Sequence, residues 1–268
     1  AEYFDFIRRG CADEETFQQE YMCVPSDDNS AFLSYELITG CEYKAGERWE
    51  YTLAELARFT TPLFLGGDIG RSHDLTSFWV NTKLGDVNCT RYRIDLFNTP
   101  FDEQEEILWQ LLALPMMRRA CLDNTGIGRM LVERAQKRFG EYKVEAVTFT
   151  AGVKEELAYP VRAAFEDRTI RIPSDDKVRS DLRAIKKETT AAGNIRFTAD
   201  RGKNGHADRF WALALAVHAG KNADGPARVD TLGDTTDADA EYAGTFGEMR
   251  RQRDRERVEE WARVGETF

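Results

Sequence analysis

The chain has 268 residues, 42% of them hydrophobic and 11% aromatic, enough to bury a substantial core in one large domain or two small ones. Its formal net charge of −10 counts against a protein that grips nucleic acid through a uniformly basic surface, although basic residues do cluster locally. No uninterrupted apolar run approaches the roughly 20 residues that cross a bilayer, and no basic-then-apolar leader opens the chain, so neither a membrane span nor secretion is expected.

In chain order, residues 1–60 read as a lead-in, with short helices expected at 14–21, 34–39 and 53–59 and a turn-rich loop over 25–30. From Pro62 the pattern changes. Apolar or alternating runs at 63–68, 76–81 and 89–97, separated by turns, predict three consecutive antiparallel strands. A helix follows over 102–114, then a strand over 120–123, a helix over 127–139, a strand over 143–149 and a helix over 154–167. Residues 170–173 read as extended, 176–190 as helix, 194–198 as a late strand and 207–219 as a strongly apolar helix. Three antiparallel strands followed by alternating helix and strand predict an α/β mixed sheet with helices on both faces. Residues 224–242, rich in Asp, Ala, Gly and Thr, read as a linker, and 249–264, alternating Arg and Glu, as an exposed helix. The expected organisation is therefore a lead-in over 1–60, one domain over 61–220 and a tail over 221–268.

Five cysteines (Cys11, Cys23, Cys41, Cys89, Cys121) show no CxxC spacing, which argues against a disulfide framework and against the usual zinc spacings. They read as reduced thiols of a cytoplasmic protein.

Three acids stand at the edges of apolar runs. Asp68 ends Leu63-Phe64-Leu65-Gly66-Gly67, Asp123 ends Ala120-Cys121-Leu122, and Asp208 opens the last apolar helix. A carboxylate beside buried apolar residues is costly to desolvate unless it is paired or holds a cation. Carboxylates from neighbouring strand ends converge on the crevice where open sheets bind ligands, and a helix-borne acid can close a third side. Such a set suits two divalent metals about 3.5–4 Å apart, the usual apparatus for cutting phosphodiesters. Plainer readings stand beside this one. Asp123 also suits a turn, Asp208 a helix macrodipole and Asp74 a hairpin turn, while His73 and His206 suit loop and flanking positions. Asp68 has no comparable structural need.

The order of elements resembles the ribonuclease H fold. The stretches Gly67-Asp68-Ile69-Gly70-Arg71-Ser72-His73-Asp74-Leu75-Thr76, Leu122-Asp123-Asn124-Thr125-Gly126-Ile127-Gly128 and Gly205-His206-Ala207-Asp208-Arg209-Phe210-Trp211-Ala212-Leu213-Ala214 are similar to the nuclease domain of the large terminase subunit of tailed bacteriophages, the Mu-like phages in particular. Phe17-Gln18-Gln19-Glu20-Tyr21 resembles the linker that joins ATPase and nuclease domains there. The resemblance spans roughly residues 15–220. Ala207 stands where many relatives carry one of a pair of acids, a departure that bears on a fourth strong ligand. The family's ATPase half uses a GxxxxGK[ST] loop. None occurs here and the chain opens with Ala1, so that half is expected to be absent or to lie upstream.

The resemblance implies a metal-dependent endodeoxyribonuclease that cuts phage DNA during packaging, with two Mg²⁺ or Mn²⁺ ions as cofactor. Asp68, Asp123 and Asp208 are the implied catalytic ligands and Asp74 a further metal ligand. Lys186, Lys187, Arg196, Arg201 and Lys203 are candidate contacts to DNA phosphates, with a solvated helix face as the plain alternative. Implied partners are double-stranded DNA, the phage portal, the small terminase subunit and an upstream ATPase domain, all in the host cytoplasm. Two rivals stay open: an actin-like or sugar-kinase-type ATP-binding domain, suggested by Gly67-Asp68-Ile69-Gly70 followed by Thr76, and a non-catalytic packaging adaptor.

Overall fold

The computed structural model describes residues 31–70, 75–126, 128–189, 195–199 and 207–221. The expectations for Asp74, Arg201, Lys203, the N-terminal helix and loop, and the tail lie outside the described residues.

Strand β1 (Leu63–Asp68) is built to be covered on both sides. Successive side chains of a strand point to opposite faces, and here both kinds are apolar. Leu63 and Leu65 join one core layer and Phe64 the other. Strand β2 (Thr76–Leu84) pairs with β1 antiparallel and repeats the division, Phe78 and Val80 on the first side and Trp79 on the second. Strand β3 (Val87–Leu96) continues the antiparallel meander. On the other flank of β1 lies β4 (Met117–Asp123), parallel to it, and beyond that β5 (Val144–Val147), parallel to β4. A short β6 (Ile170–Arg171) pairs parallel with β3, giving one six-stranded sheet in the order β5-β4-β1-β2-β3-β6. This is the predicted mixed sheet: three antiparallel strands, then parallel ones.

Helices cover both faces. In chain order they are α1 (Tyr35–Thr39), α2 (Leu53–Leu56), α3 (Phe101–Leu112), α4 (Gly128–Phe139), α5 (Ala151–Glu166), α6 (Asp176–Ala184) and α7 (Asp208–Lys221). Leu108 and Leu111 of α3 and Leu131 and Val132 of α4 pack with Leu65 and Leu122, while α5 and α7 pack with Phe64 and Cys121. Helix α7 is apolar nearly all round, and twelve of its residues, starting with Asp208, are buried. It lies directly on β1. A Cβ on Gly66 would sit 2.0 Å from the carbonyl oxygen of Ala212, so only glycine allows this approach.

Residues 31–42, part of the expected lead-in, are seated in the α5–α7 layer. The Phe32 ring meets Phe197 edge-on at 4.8 Å and Phe210 at 6.4 Å. The backbone N–H of Phe32 donates to Ile185 at 2.9 Å, and Ser34 caps α1 through its side chain.

One expectation is corrected. Residues 176–190 do not form a single helix. Helix α6 stops at Ala184, and β7 (Ile185–Thr189) pairs antiparallel with β8 (Ile195–Ala199) as a separate two-stranded sheet. Ile185 turns to extended backbone (φ −71°, ψ 121°) and is buried, and Phe197 opposite Lys187 packs on Phe32 and Tyr159. Burial of this aromatic set outweighs the weak helical preference of a polar run. Lys186 and Lys187 consequently lie on a strand rather than on a solvated helix face. Among the described residues, no helix is long and apolar enough to cross a membrane.

Candidate metal centre

Parallel pairing places Gly67 opposite Leu122, so the next residues, Asp68 and Asp123, end neighbouring strands side by side. The third acid arrives from above. Helix α7 crosses β1, and its first residue, Asp208, is buried at the same end of the sheet. The strand-to-helix turn after β4 is locally determined. Asp123 accepts hydrogen bonds from the backbone N–H of Thr125, at 3.0 Å, and from the Thr125 hydroxyl. Gly128 then opens α4 so tightly that a Cβ would stand 2.4 Å from the Asp123 carbonyl oxygen. Both features hold the Asp123 carboxylate at the mouth of the turn.

Asp208 and Asp123 both act electrostatically on Asp68. Asp68 has its pKa raised well above the usual carboxylate range, first by burial, then by repulsion from Asp208 and from Asp123. Lys154 and the Ile69 backbone pull it the other way. Asp123 is raised as well, mainly by burial, against the Thr125 hydrogen bonds and Lys154. Asp68, Asp123 and Asp208 each offer carboxylate oxygen at this end of the sheet. That chemistry fits a hard divalent cation such as Mg²⁺ or Mn²⁺, which prefers carboxylate oxygen.

Lys154 was not singled out by its sequence. It sits in the first turn of α5, capped by Thr150. Its Nζ rests 4.7 Å from the centre of the Trp211 ring and 5.4 Å from that of Phe149. Burial lowers its pKa, while Asp68 and Asp123 raise it and Arg196 lowers it further. A lysine near a helix N-terminus opposes the helix dipole. That mismatch was a readable signal that something else, here a pair of carboxylates, holds the cation in place.

A second set of charges lies immediately behind the acids. Arg209, 6% exposed, follows Asp208. Its Nε donates to Asp95 at 2.8 Å and its Nη1 to Asp181 at 3.0 Å, and its backbone N–H also donates to Asp181. Burial opposes the charged guanidinium, but Asp95 and Asp181 outweigh it and the pKa rises. Asp95 in turn accepts from Ser77, the residue paired with Asp68 across β1 and β2. The start of α7 is therefore pinned to β3 and α6. Ala207, just before it, has a left-handed backbone (φ 63°), and its carbonyl accepts the first helical hydrogen bonds, from Phe210 and Trp211.

Of the candidate phosphate contacts, Arg196 is brought within electrostatic reach of Lys154, whereas the Lys187 ammonium stacks on Tyr159 at 5.4 Å. Lys186 lies on β7 opposite Thr198, in a bridge to Ala31.

Comparison with known proteins follows this geometry. The family model described as "Terminase RNaseH-like domain" matches residues 65–219, from β1 to α7. "Probable terminase, large subunit gp28" of Escherichia phage Mu is 28% identical over 252 residues, covering 80% of this chain and 45% of that protein. The Mu-like prophage FluMu protein gp28 of Haemophilus influenzae is 28% identical over 246 residues, covering 80% and 48%. The chain thus spans about half the length of these relatives. A crystal structure of the large terminase nuclease from thermophilic phage G20c with bound magnesium shares the fold, with a TM-score of 0.51 at 22% identity over 60% of this chain and 82% of that one. With more than half of its length inside the matched family, the chain belongs to the terminase ribonuclease H-like domains.

Proposed function

We propose that this chain is the nuclease portion of a phage large terminase subunit and hydrolyses phosphodiester bonds of double-stranded DNA during genome packaging. The observation that carries the reading is the convergence of Asp68, Asp123 and Asp208, with Asp68 burdened by both neighbours. Membership of the terminase family supports it, as does a similar structure whose name records bound magnesium.

Asp68 is the central ligand in this reading, with Asp123 and Asp208 on either side and Asp74 as a further ligand for two Mg²⁺ or Mn²⁺ ions. Bound divalent metal would supply an activated water and stabilise the leaving oxygen. The protein's own work is to hold the oxygens in place. Thr125 orients Asp123, and the Arg209 contacts to Asp95 and Asp181 aim the start of α7 and with it Asp208. Lys154 limits the repulsion among the acids, so that they ionise together when a cation arrives. Arg196, with Lys186, Lys187, Arg201 and Lys203, would contact phosphates. Residues 61–220 would be the nuclease domain, 1–60 the connection to an ATPase domain, and 221–268 a tail dispensable for cutting. Portal, small subunit and DNA would be met in the host cytoplasm.

The test is supercoiled plasmid incubated with purified protein and Mg²⁺, Mn²⁺ or Ca²⁺, with and without ATP. Nicking or cutting with Mg²⁺ or Mn²⁺, little turnover with Ca²⁺ and indifference to ATP are expected. ATP turnover without DNA damage would support the kinase-type rival instead. Absence of cutting with every metal, for this chain and for its fusion to a packaging ATPase, would leave the adaptor.

A further inference from the structure

We propose that Cys121, Glu145 and His218 form a second cation site, distinct from the acidic crevice, that takes a borderline-soft divalent ion of the zinc type. The three residues come from β4, β5 and α7, and one ligand atom from each lies within 4.8 Å of the other two. The Cys121 Sγ is 3.3 Å from Glu145 Oε2, and the His218 Nε2 is 3.2 Å from Glu145 Oε1. A tetrahedral zinc ion, with bonds of about 2.3 Å to sulfur and 2.0–2.2 Å to nitrogen and oxygen, has ligand–ligand edges of about 3.3–3.6 Å. The cluster is close to that size already.

Donor chemistry separates the two sites. One sulfur, one imidazole and one carboxylate favour zinc or cobalt, whereas the all-oxygen set at Asp68 favours magnesium or manganese. Absence of CxxC spacing does not bear on this site, because its ligands come from three elements of the tertiary fold. Arg119 holds Glu145 Oε2 through Nη2 at 2.5 Å and Nε at 3.1 Å, the kind of outer contact that orients a ligating carboxylate. Access is open. The Glu145 and His218 side chains are 28% and 25% exposed, and β5 is an edge strand of the sheet. On binding, the Cys121 thiol loses its proton to solvent and the thiolate takes the ion. The bound ion would tie α7 to β4 and β5, the elements that carry Asp208 and Asp123.

The experiment uses the full chain, stripped with chelator, and Co²⁺ and Zn²⁺ as probes. Wild type and Asp68→Asn should both show the near-ultraviolet thiolate-to-cobalt charge-transfer band and retain one Zn²⁺ per chain after dialysis. Cys121→Ser should lose the band. His218→Gln, at a partly exposed position, should keep the fold by circular dichroism and bind Zn²⁺ at least about tenfold more weakly. Zn²⁺ should also raise the melting temperature of Asp68→Asn, and the rise should be lost when His218→Gln is added to Asp68→Asn. No cobalt band in wild type, a band that persists in Cys121→Ser, or Zn²⁺ retention lost in Asp68→Asn and kept in His218→Gln would overturn the proposal. The last outcome would place the ion in the acidic crevice. Because the spectroscopic readout is independent of DNA cutting, failure here and failure of the nuclease reading are distinguishable.

Discussion

Asp208 and Arg209 are adjacent, both buried, and face opposite electrostatic worlds. Arg209 looks back into a network in which its guanidinium meets Asp95 and Asp181, while Arg93 meets Asp175 at 2.9 Å. There, positive and negative charges alternate. On the other side, Asp208 and Asp123 both repel Asp68, and among the described residues Lys154 and the Ile69 backbone act against that repulsion. Both regions bury charge at a desolvation cost. The first recovers that cost through ion pairs within the fold, whereas on the proposed function a bound cation would meet it in the second. Carboxylates paired with arginine act as a structural clamp, and on the proposed function the clustered carboxylates act as ligands.

The sharpest way to break this contrast is at Asp68. Asp68→Asn should reduce metal-dependent plasmid cutting by far more than the roughly 10–100-fold that follows loss of an outer contact, while thermal stability without metal stays equal or rises. A variant that keeps most of its cutting rate would remove Asp68 from the site.

On the compensated side the expected loss is of stability. Arg209→Met leaves the buried Asp181 without its cation, while half-buried Asp95 keeps Arg93 at 3.6 Å, and should cost about 3 kcal/mol in urea denaturation. Arg209→Lys keeps the charge but not both contacts, and should fall between. If Arg209→Met is as stable as wild type, the clamp is not one.

The two regions should also differ in pH response. Asp68 has a raised pKa in the folded chain, so the folded state holds a proton that the unfolded state has released. Its contribution to stability is therefore lost as pH rises from the ordinary carboxylate pKa through the raised one. Melting curves recorded without metal should show this decline, and Asp68→Asn should flatten it. Lys154→Gln removes the cation that lowers Asp68 and Asp123, so the pH at which Mn²⁺ binds half-maximally should move upward. A downward or absent shift would detach Lys154 from the site.

The smallest effect concerns the entry to α7. Ala207 holds a left-handed backbone that costs a non-glycine residue about 1–2 kcal/mol. Ala207→Gly should therefore stabilise the chain by up to about 1 kcal/mol, after allowing for the greater freedom of glycine when unfolded. Destabilisation in thermal melts would mean that the Ala207 methyl, 2% exposed, matters more through packing than through strain.

Much of this architecture was legible before the tertiary structure. Apolar or alternating runs in β1, β2 and β3, and the apolar stripe of α3, announced their elements because burial shapes local sequence. The acids were legible because Asp68 has no local structural use. The hairpin of β7 and β8 was not, since a short polar run after a helix carries no period of its own, and Phe32 and Tyr159 decided its conformation from distant positions. Lys154 was visible only as a charge on the wrong end of a helix.

The amino-acid sequence by itself determined which segments become strands and helices and which carboxylates stand at their edges, since these follow from periodicity and from the cost of desolvating an acid. Only the tertiary structure decided which charges are answered. Arg209 finds Asp95 across 114 residues and Asp181 across 28, and Glu145 finds His218 across 73. Such pairings depend on how elements dock, and docking is set by the summed packing of two core layers, which no local spacing records.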